Sequence, residues 1–236
     1  MNKEKLKNLN KQEDSTSNQE NIEKKQKKWK EKEQEINKIK DYFGEEIEKG
    51  VKQAVVAFNL NGLPTRQSCE GHIEGGLPFP WIDIASYGEP EQRFENEKEV
   101  FKSIADKYDL SYEEIKRSIS PEGKIVDKIN KAHKEAKEKV CENKELKDYK
   151  EWRQKNKELE NKVKDLINEF YKDRKVSKDI KIKINIIGPG NIVRVYSGPK
   201  NKENRLNKKE LKKKLKNRQK EIKDFSYFLK KRFFKD

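Results

Sequence analysis

The stretch DIKIKINIIG, residues 179 to 188, constrains this chain more than any other. Ile180, Ile182, Ile184 and Ile186 alternate with Lys181, Lys183 and Asn185, a period of two that only a strand with one buried and one wet face satisfies. GPGN then turns the chain, and NIVRVYSG returns it, so the segment predicts a hairpin. A lone hairpin is marginal in water. It therefore requires further strands, helices to cover its apolar face, or both.

The further strands come from residues 65 to 85. Thr65 to Cys69 reads as one short strand and Trp81 to Ala85 as another, with Trp81, Asp83 and Ala85 on one face and Ile82 and Ile84 on the other. The two hairpins are expected to join. Helices supply the cover. Ile36, Ile39, Phe43, Ile47, Val51, Val55 and Phe58 fall three or four apart and predict one helix from about residue 20 to Asn61, which Gly62 and Pro64 end. Val100, Phe101, Ile104 and Tyr108 mark a helix from about Pro90 to Lys107. Ser111 with Glu114 is a capping box for a short helix over 112 to 119, which Pro121 ends or follows with the next. Two stripes between about 122 and 173 predict two helices broken near Asn143, or one long one. The last helix, about 207 to 234, turns Leu211, Leu215, Ile222, Phe225, Leu229 and Phe233 inward. The expected fold class is α+β: a small antiparallel sheet of about four strands with long peripheral helices. The expected organisation is a disordered tail over 1–20, an α+β domain over 21–199 with a helical insertion at about 90–173, and a basic C-terminal helix over 200–236 packed on that domain.

Only 31% of the 236 residues are hydrophobic and 43% are charged, so the core should be thin. The two cysteines make no disulfide framework, and a reducing cytoplasm is the expected setting. No apolar run is long enough to span a bilayer, so no membrane insertion is expected. The net charge is +15, and residues 200 to 236 hold 16 Lys/Arg against 5 Asp/Glu. That concentration points to an anionic partner, nucleic acid without sequence preference or an acidic protein. Lys212, Lys213, Lys216, Lys220 and Lys223 on the last helix, with Arg194 on the hairpin, are the expected anion-binding residues; Tyr196 beside Arg194 could add stacking.

The chemistry concentrates in SCEGHIEGGLPFPWIDI, residues 68 to 84. Cys69-Glu70-Gly71-His72 has glycine at the third of four positions, where a type II turn needs φ > 0. Such a turn brings its outer α-carbons within about 7 Å. Cys69 and His72 then meet, whereas in an extended chain they would face apart. Three readings stay open. Cys69 and His72 are the candidate catalytic pair, a thiol beside an imidazole that Glu70 or Asp83 would orient. Cys-x-x-His is also half a zinc site. The other half would be His133 and Cys141, eight apart on a helix and so roughly 12 Å apart, too far to share an ion. Carboxylates such as Glu74 or Asp83 would have to complete it. No metal and no cofactor are expected on this basis. The third reading is a structural turn or a pocket without covalent chemistry, lined by Ser68, Glu70, Gly71, Phe79, Trp81 and Asp83. His133 and Cys141 read as helix-packing residues.

GLPTRQSCEGH followed by PWIDI resembles a pattern of small uncharacterised bacterial and phage proteins, in which a helix leads into G-[IL]-x-T-x-x-SC-x-GH and then an aromatic-containing strand. RQKEIKDFSYFLKKRFF is similar to their C-terminal helix. The resemblance implies a shared module and no particular reaction. The resulting expectation is a cytoplasmic accessory or binding protein with a pocket at the SCEGH turn and a basic helix for an anionic partner. The alternative is a Cys69/His72-dependent enzyme or metal-binding protein.

Overall fold

The computed structural model describes residues 3–41, 44–74, 76–118, 126–199 and 207–235, with the backbone alone for 3–18. In chain order the elements are α1 (Lys3–Lys38), α2 (Lys49–Leu60), β1 (Thr65–Cys69), β2 (Trp81–Ile84), α3 (Glu97–Lys107), α4 (Tyr112–Arg117), α5 (Asp127–Val140), α6 (Lys147–Phe170), β3 (Ile182–Ile187), β4 (Ile192–Ser197) and α7 (Lys208–Lys235). The fold is α+β, with one four-stranded antiparallel sheet of order β1-β2-β4-β3. The two hairpins join through β2 and β4, as their marginal separate stability requires.

The register explains the two faces of the sheet. Ile82 lies opposite Val195, which lies opposite Ile184; Ile84 lies opposite Val193. Directly paired residues point the same way, so these form one apolar face. It is buried with Val55, Val56 and Phe58 of α2, Val163 and Leu166 of α6, and Ile222, Phe225 and Leu229 of α7. Full burial of each such side chain contributes about 1.5–3 kcal/mol. The opposite face carries Trp81, Asp83, Arg194 and Tyr196. There Arg194 donates to both Asp83 carboxylate oxygens at 2.7 and 2.8 Å, and its guanidinium lies 3.9 Å from the Trp81 ring centroid.

The chain divides into two compact units, Met1–Ser86 with Asn156–Asp236, and Tyr87–Lys155. The second is helical, with Phe101, Ile104, Ile115, Ala132 and Ala136 at its core. In it the Ser111–Glu114 capping box forms as the sequence predicts. The C-terminal part of α6 belongs to the first unit, because Val163 and Leu166 are buried there.

Several boundaries depart from the sequence expectation. The single helix expected over 20 to 61 is two. After α1 the chain makes a turn in which Gly44 donates to the Asp41 carbonyl at 3.0 Å and takes φ of +83°, while Asp41 Oδ1 accepts the Glu45 N–H at 2.9 Å. The apolar spacing runs on through this turn, so periodicity does not reveal it, and Ile39 is exposed. Phe43 lies outside the described residues, as do Pro121 and the basic residues of 200–206. Helix α1 starts at Lys3 and so occupies the stretch expected to be a disordered tail. That stretch has no apolar stripe, but lysine, glutamine, glutamate and leucine are all strong helix formers. Helix α3 starts at Glu97 and not near Pro90, because the Glu97 carboxylate accepts the backbone N–H groups of Arg93 and Phe94 and fixes a turn before the helix. Strand β3 starts at Ile182, two residues late, because Ile180 and Lys181 donate back to the Ser177 carbonyl. Among the described residues no helix is long and apolar enough to cross a membrane.

Candidate functional site

Strand β1 ends at Cys69, which pairs opposite Trp81. The chain then leaves the sheet. Gly71 has φ of +88°, and a Cβ there would lie 2.6 Å from the Phe79 carbonyl carbon and 2.9 Å from Leu215 Cδ1. Both the conformation and the close approach require glycine. His72 N–H donates to the Leu77 carbonyl at 2.8 Å, which closes the loop upon itself. Helix α7 grips this loop from the other side. Arg218, fully buried, donates to the Pro78 carbonyl at 3.0 Å, and Gln219 donates to the Glu70 carbonyl at 3.0 Å.

The N-terminus of α2 completes the site. Glu48 is its N-cap residue, but the Glu48 side chain does not cap it. Glu70 does so instead, accepting the Gly50 N–H at 2.8 Å. A Cβ on Gly50 would fall 2.5 Å from that carboxylate oxygen, so glycine in this first turn leaves room for Glu70. Glu48 is thereby released to face the loop. One of its oxygens accepts the Glu70 N–H at 2.6 Å and the other accepts from His72 Nε2. Ligand-type atoms of Glu48, Cys69 and His72 lie within 4.8 Å of one another.

The structure brings Cys69 and His72 together and adds Glu48, although the expected type II turn does not form: residues 70–72 make no turn, and the His72 N–H goes to the Leu77 carbonyl and not to that of Cys69. The orienting carboxylate is neither Glu70, which caps α2, nor Asp83, which is bound to Arg194. Glu48 escapes sequence reasoning because the apolar spacing runs one helix through it. The only signal is an acidic residue just ahead of Lys49-Gly50, at a helix start.

Electrostatics bear on the nucleophilic reading. Burial pushes the Cys69 thiol up, and the nearby carboxylates of Glu48 and Glu70 push it further; only the Gly71 N–H, 3.3 Å from Sγ, acts the other way. The protonated thiol is therefore favoured at neutral pH, the opposite of what an activated cysteine needs.

The expected polar-aromatic pocket is divided. Glu70, Gly71 and His72 line one groove, while Ser68, Cys69 and Trp81 line a second cavity with Ile39, Glu46 and Glu48. Phe79 packs against Tyr196 with ring centroids 5.4 Å apart, and Asp83 is buried under Arg194. Strand alternation is the cause: Trp81 and Asp83 share a sheet face, whereas the residues after Cys69 leave the sheet with the loop.

The first groove, about 770 Å³, runs from the loop along α7. Lys208, Lys209, Lys212, Lys213 and Lys216 line it together with Ile73, Glu74, Leu215 and Gln219. Lys208 pairs with Glu74. Lys209, Lys212, Lys213 and Lys216 are exposed and make no ion pair among the described residues. Of the anion-binding residues expected from sequence, Lys212, Lys213 and Lys216 are in this groove. Lys220 pairs with Asp224 at 2.7 Å and Arg194 is held by Asp83, so neither offers a free cation here; Lys223 does not line the groove. Lys208 and Lys209 join the groove unannounced, because they precede the apolar stripe by which the helix is recognised.

In the second unit, His133 donates from Nδ1 to the Ile115 carbonyl at 2.6 Å and packs edge-on to Phe101, a packing role as expected. Burial lowers its pKa. Cys141, expected to pack, is instead exposed at the end of α5.

Comparison with protein-family models, curated proteins and solved structures finds no match to this chain.

Proposed function

We propose that the protein binds nucleic acid through its phosphate backbone, without sequence preference, in the groove between the SCEGH loop and α7. The observation that carries this reading is the row of four lysines, Lys209, Lys212, Lys213 and Lys216, that face a concave surface with no counter-ion among the described residues. Like charges at i,i+4 on a helix repel, and lysines near a helix N-terminus also oppose the helix dipole. Phosphates in the groove would relieve both costs and release condensed counter-ions. Arginine, asparagine, phenylalanine, tyrosine and tryptophan are absent from the described lining, and the two groups that could read or stack bases are engaged, Gln219 with the Glu70 carbonyl and His72 with Glu48. Binding should therefore rest on charge and not on base identity. The raised Cys69 thiol weighs against the alternative of a cysteine nucleophile.

The test is fluorescence anisotropy with labelled single- and double-stranded oligonucleotides of mixed sequence. Replacing the four lysines by glutamine should weaken binding at least tenfold while Lys220→Gln has little effect. Equal binding by both variants would rule out the groove as the binding surface. Preferential binding of polyglutamate of matched charge would assign it to acidic protein surfaces.

A further inference from the structure

We propose that Glu48, Cys69 and His72 form a binding site for one divalent transition-metal ion of the zinc class, with a fourth position left for water or an outside ligand. The inference is independent of the nucleic-acid reading. It rests on three donors of three chemical kinds, an oxygen, a sulfur and a nitrogen, gathered within 4.8 Å. Bonds of about 2.0–2.3 Å in a tetrahedral site put neighbouring ligand atoms roughly 3.3–3.7 Å apart. Shifts of about 1 Å in half-exposed side chains close that gap.

The donors stand on separate, fixed pieces of backbone. Glu48 is the N-cap residue of α2, Cys69 ends β1 opposite Trp81, and His72 is tied to Leu77 across the loop. Hydrogen bonds from outside the triad already orient two of them: Glu70 N–H holds the Glu48 carboxylate, and Gly71 N–H points at the Cys69 sulfur. Such outer contacts are typical supports of metal ligands. The His72 contact to Glu48 marks where the ion would sit, with the metal replacing the hydrogen between them. Solvent reaches the site, since the His72 side chain is 43% exposed and that of Glu48 32%. The donor chemistry selects the metal. Calcium and magnesium take oxygen ligands, whereas a thiolate with an imidazole and one carboxylate suits zinc and its neighbours. Three protein ligands are also the number found in zinc sites that keep a position open.

The test is titration of the full chain, stripped with chelator, with Co²⁺ as a spectroscopic stand-in for zinc. One Co²⁺ per chain should bind, with sulfur-to-cobalt charge-transfer absorption in the near ultraviolet. The band should vanish in Cys69→Ser and persist in Cys141→Ser. Glu48→Gln should lower affinity about tenfold or more, with circular dichroism confirming that each variant is folded. No absorption with the native chain, a band that survives Cys69→Ser, or undiminished affinity in Glu48→Gln would overturn the site as drawn.

Discussion

The sheet contains two hairpins whose loops are held to different degrees. β3 and β4 are joined by residues 188 to 191, with Gly188 at φ of +63° and Asn191 at +54°. A Cβ on Gly188 would meet nothing within 4 Å. That turn is held at one point, where the buried Asn156 of α6 donates to the Gly190 carbonyl at 2.7 Å, and its Gly188 end is open. β1 and β2 are joined by residues 70 to 80, and this loop is packed from two sides, by the α2 N-terminus through Glu48 and by α7 through Arg218, Gln219 and Leu215. A loop so held is no longer a connector. It fixes side chains in space, which is what binding and chemistry require.

The sharpest way to break the comparison is at its glycines. Gly71→Ala combines a positive φ with a backbone collision and should destabilise the protein by about 2–4 kcal/mol. Gly188→Ala meets open space and should cost about 1 kcal/mol. Urea denaturation of both variants measures the difference, and equal costs would mean that the long loop is no more constrained than the short turn.

A smaller effect is expected at the α7 contact. Arg218→Met keeps much of the buried volume but leaves the Pro78 and Asp179 carbonyls without this donor, a loss of about 1–3 kcal/mol. It should also loosen residues 70 to 80 and the approach to β3 at Asp179. Hydrogen exchange should rise at the His72 amide, which bonds to Leu77, before it rises in β3 and β4.

The mildest prediction concerns Cys69. Glu48 raises its thiol through charge, so Glu48→Gln should lower the thiol pKa and make alkylation at pH 7 faster than in the native protein. In the native chain Cys69 labelling should remain slow at pH 7 and climb as pH rises toward the raised thiol pKa. Cys141, exposed at the end of α5, gives the internal reference rate. Unchanged labelling in Glu48→Gln would place the carboxylate away from the sulfur.

The same contrast explains what can be read without coordinates. Ile182 and Ile184 declare a strand because packing of one face imposes a local period of two, although Ile186, expected on the buried face, is exposed towards the end of β3. Gly71 declares a left-handed backbone position because one residue type tolerates its φ, but not the turn expected around it. Helix α7 is visible from Ile222, Phe225 and Leu229. Glu48 is not visible, because its meeting with His72 joins a helix start to a loop 24 residues on, and no periodicity encodes such a contact. The break at residues 39 to 48 is hidden for a related reason. Ile39 and Ile47 keep the helical spacing through a turn that Asp41 and Gly44 make by hydrogen bonding. Nor does sequence sort the lysines into those facing a groove and those, such as Lys220, already paired on the same helix.

If the long loop and the first half of α7 form one phosphate-binding surface, affinity for a single-stranded oligonucleotide must depend on salt through the groove lysines. The slope of log affinity against log salt measures this most directly. Replacing Lys209, Lys212, Lys213 and Lys216 by glutamine should make that slope shallower by about 3, from roughly 0.7 for each phosphate no longer neutralised. A slope that is the same before and after the replacement would contradict the phosphate-binding surface.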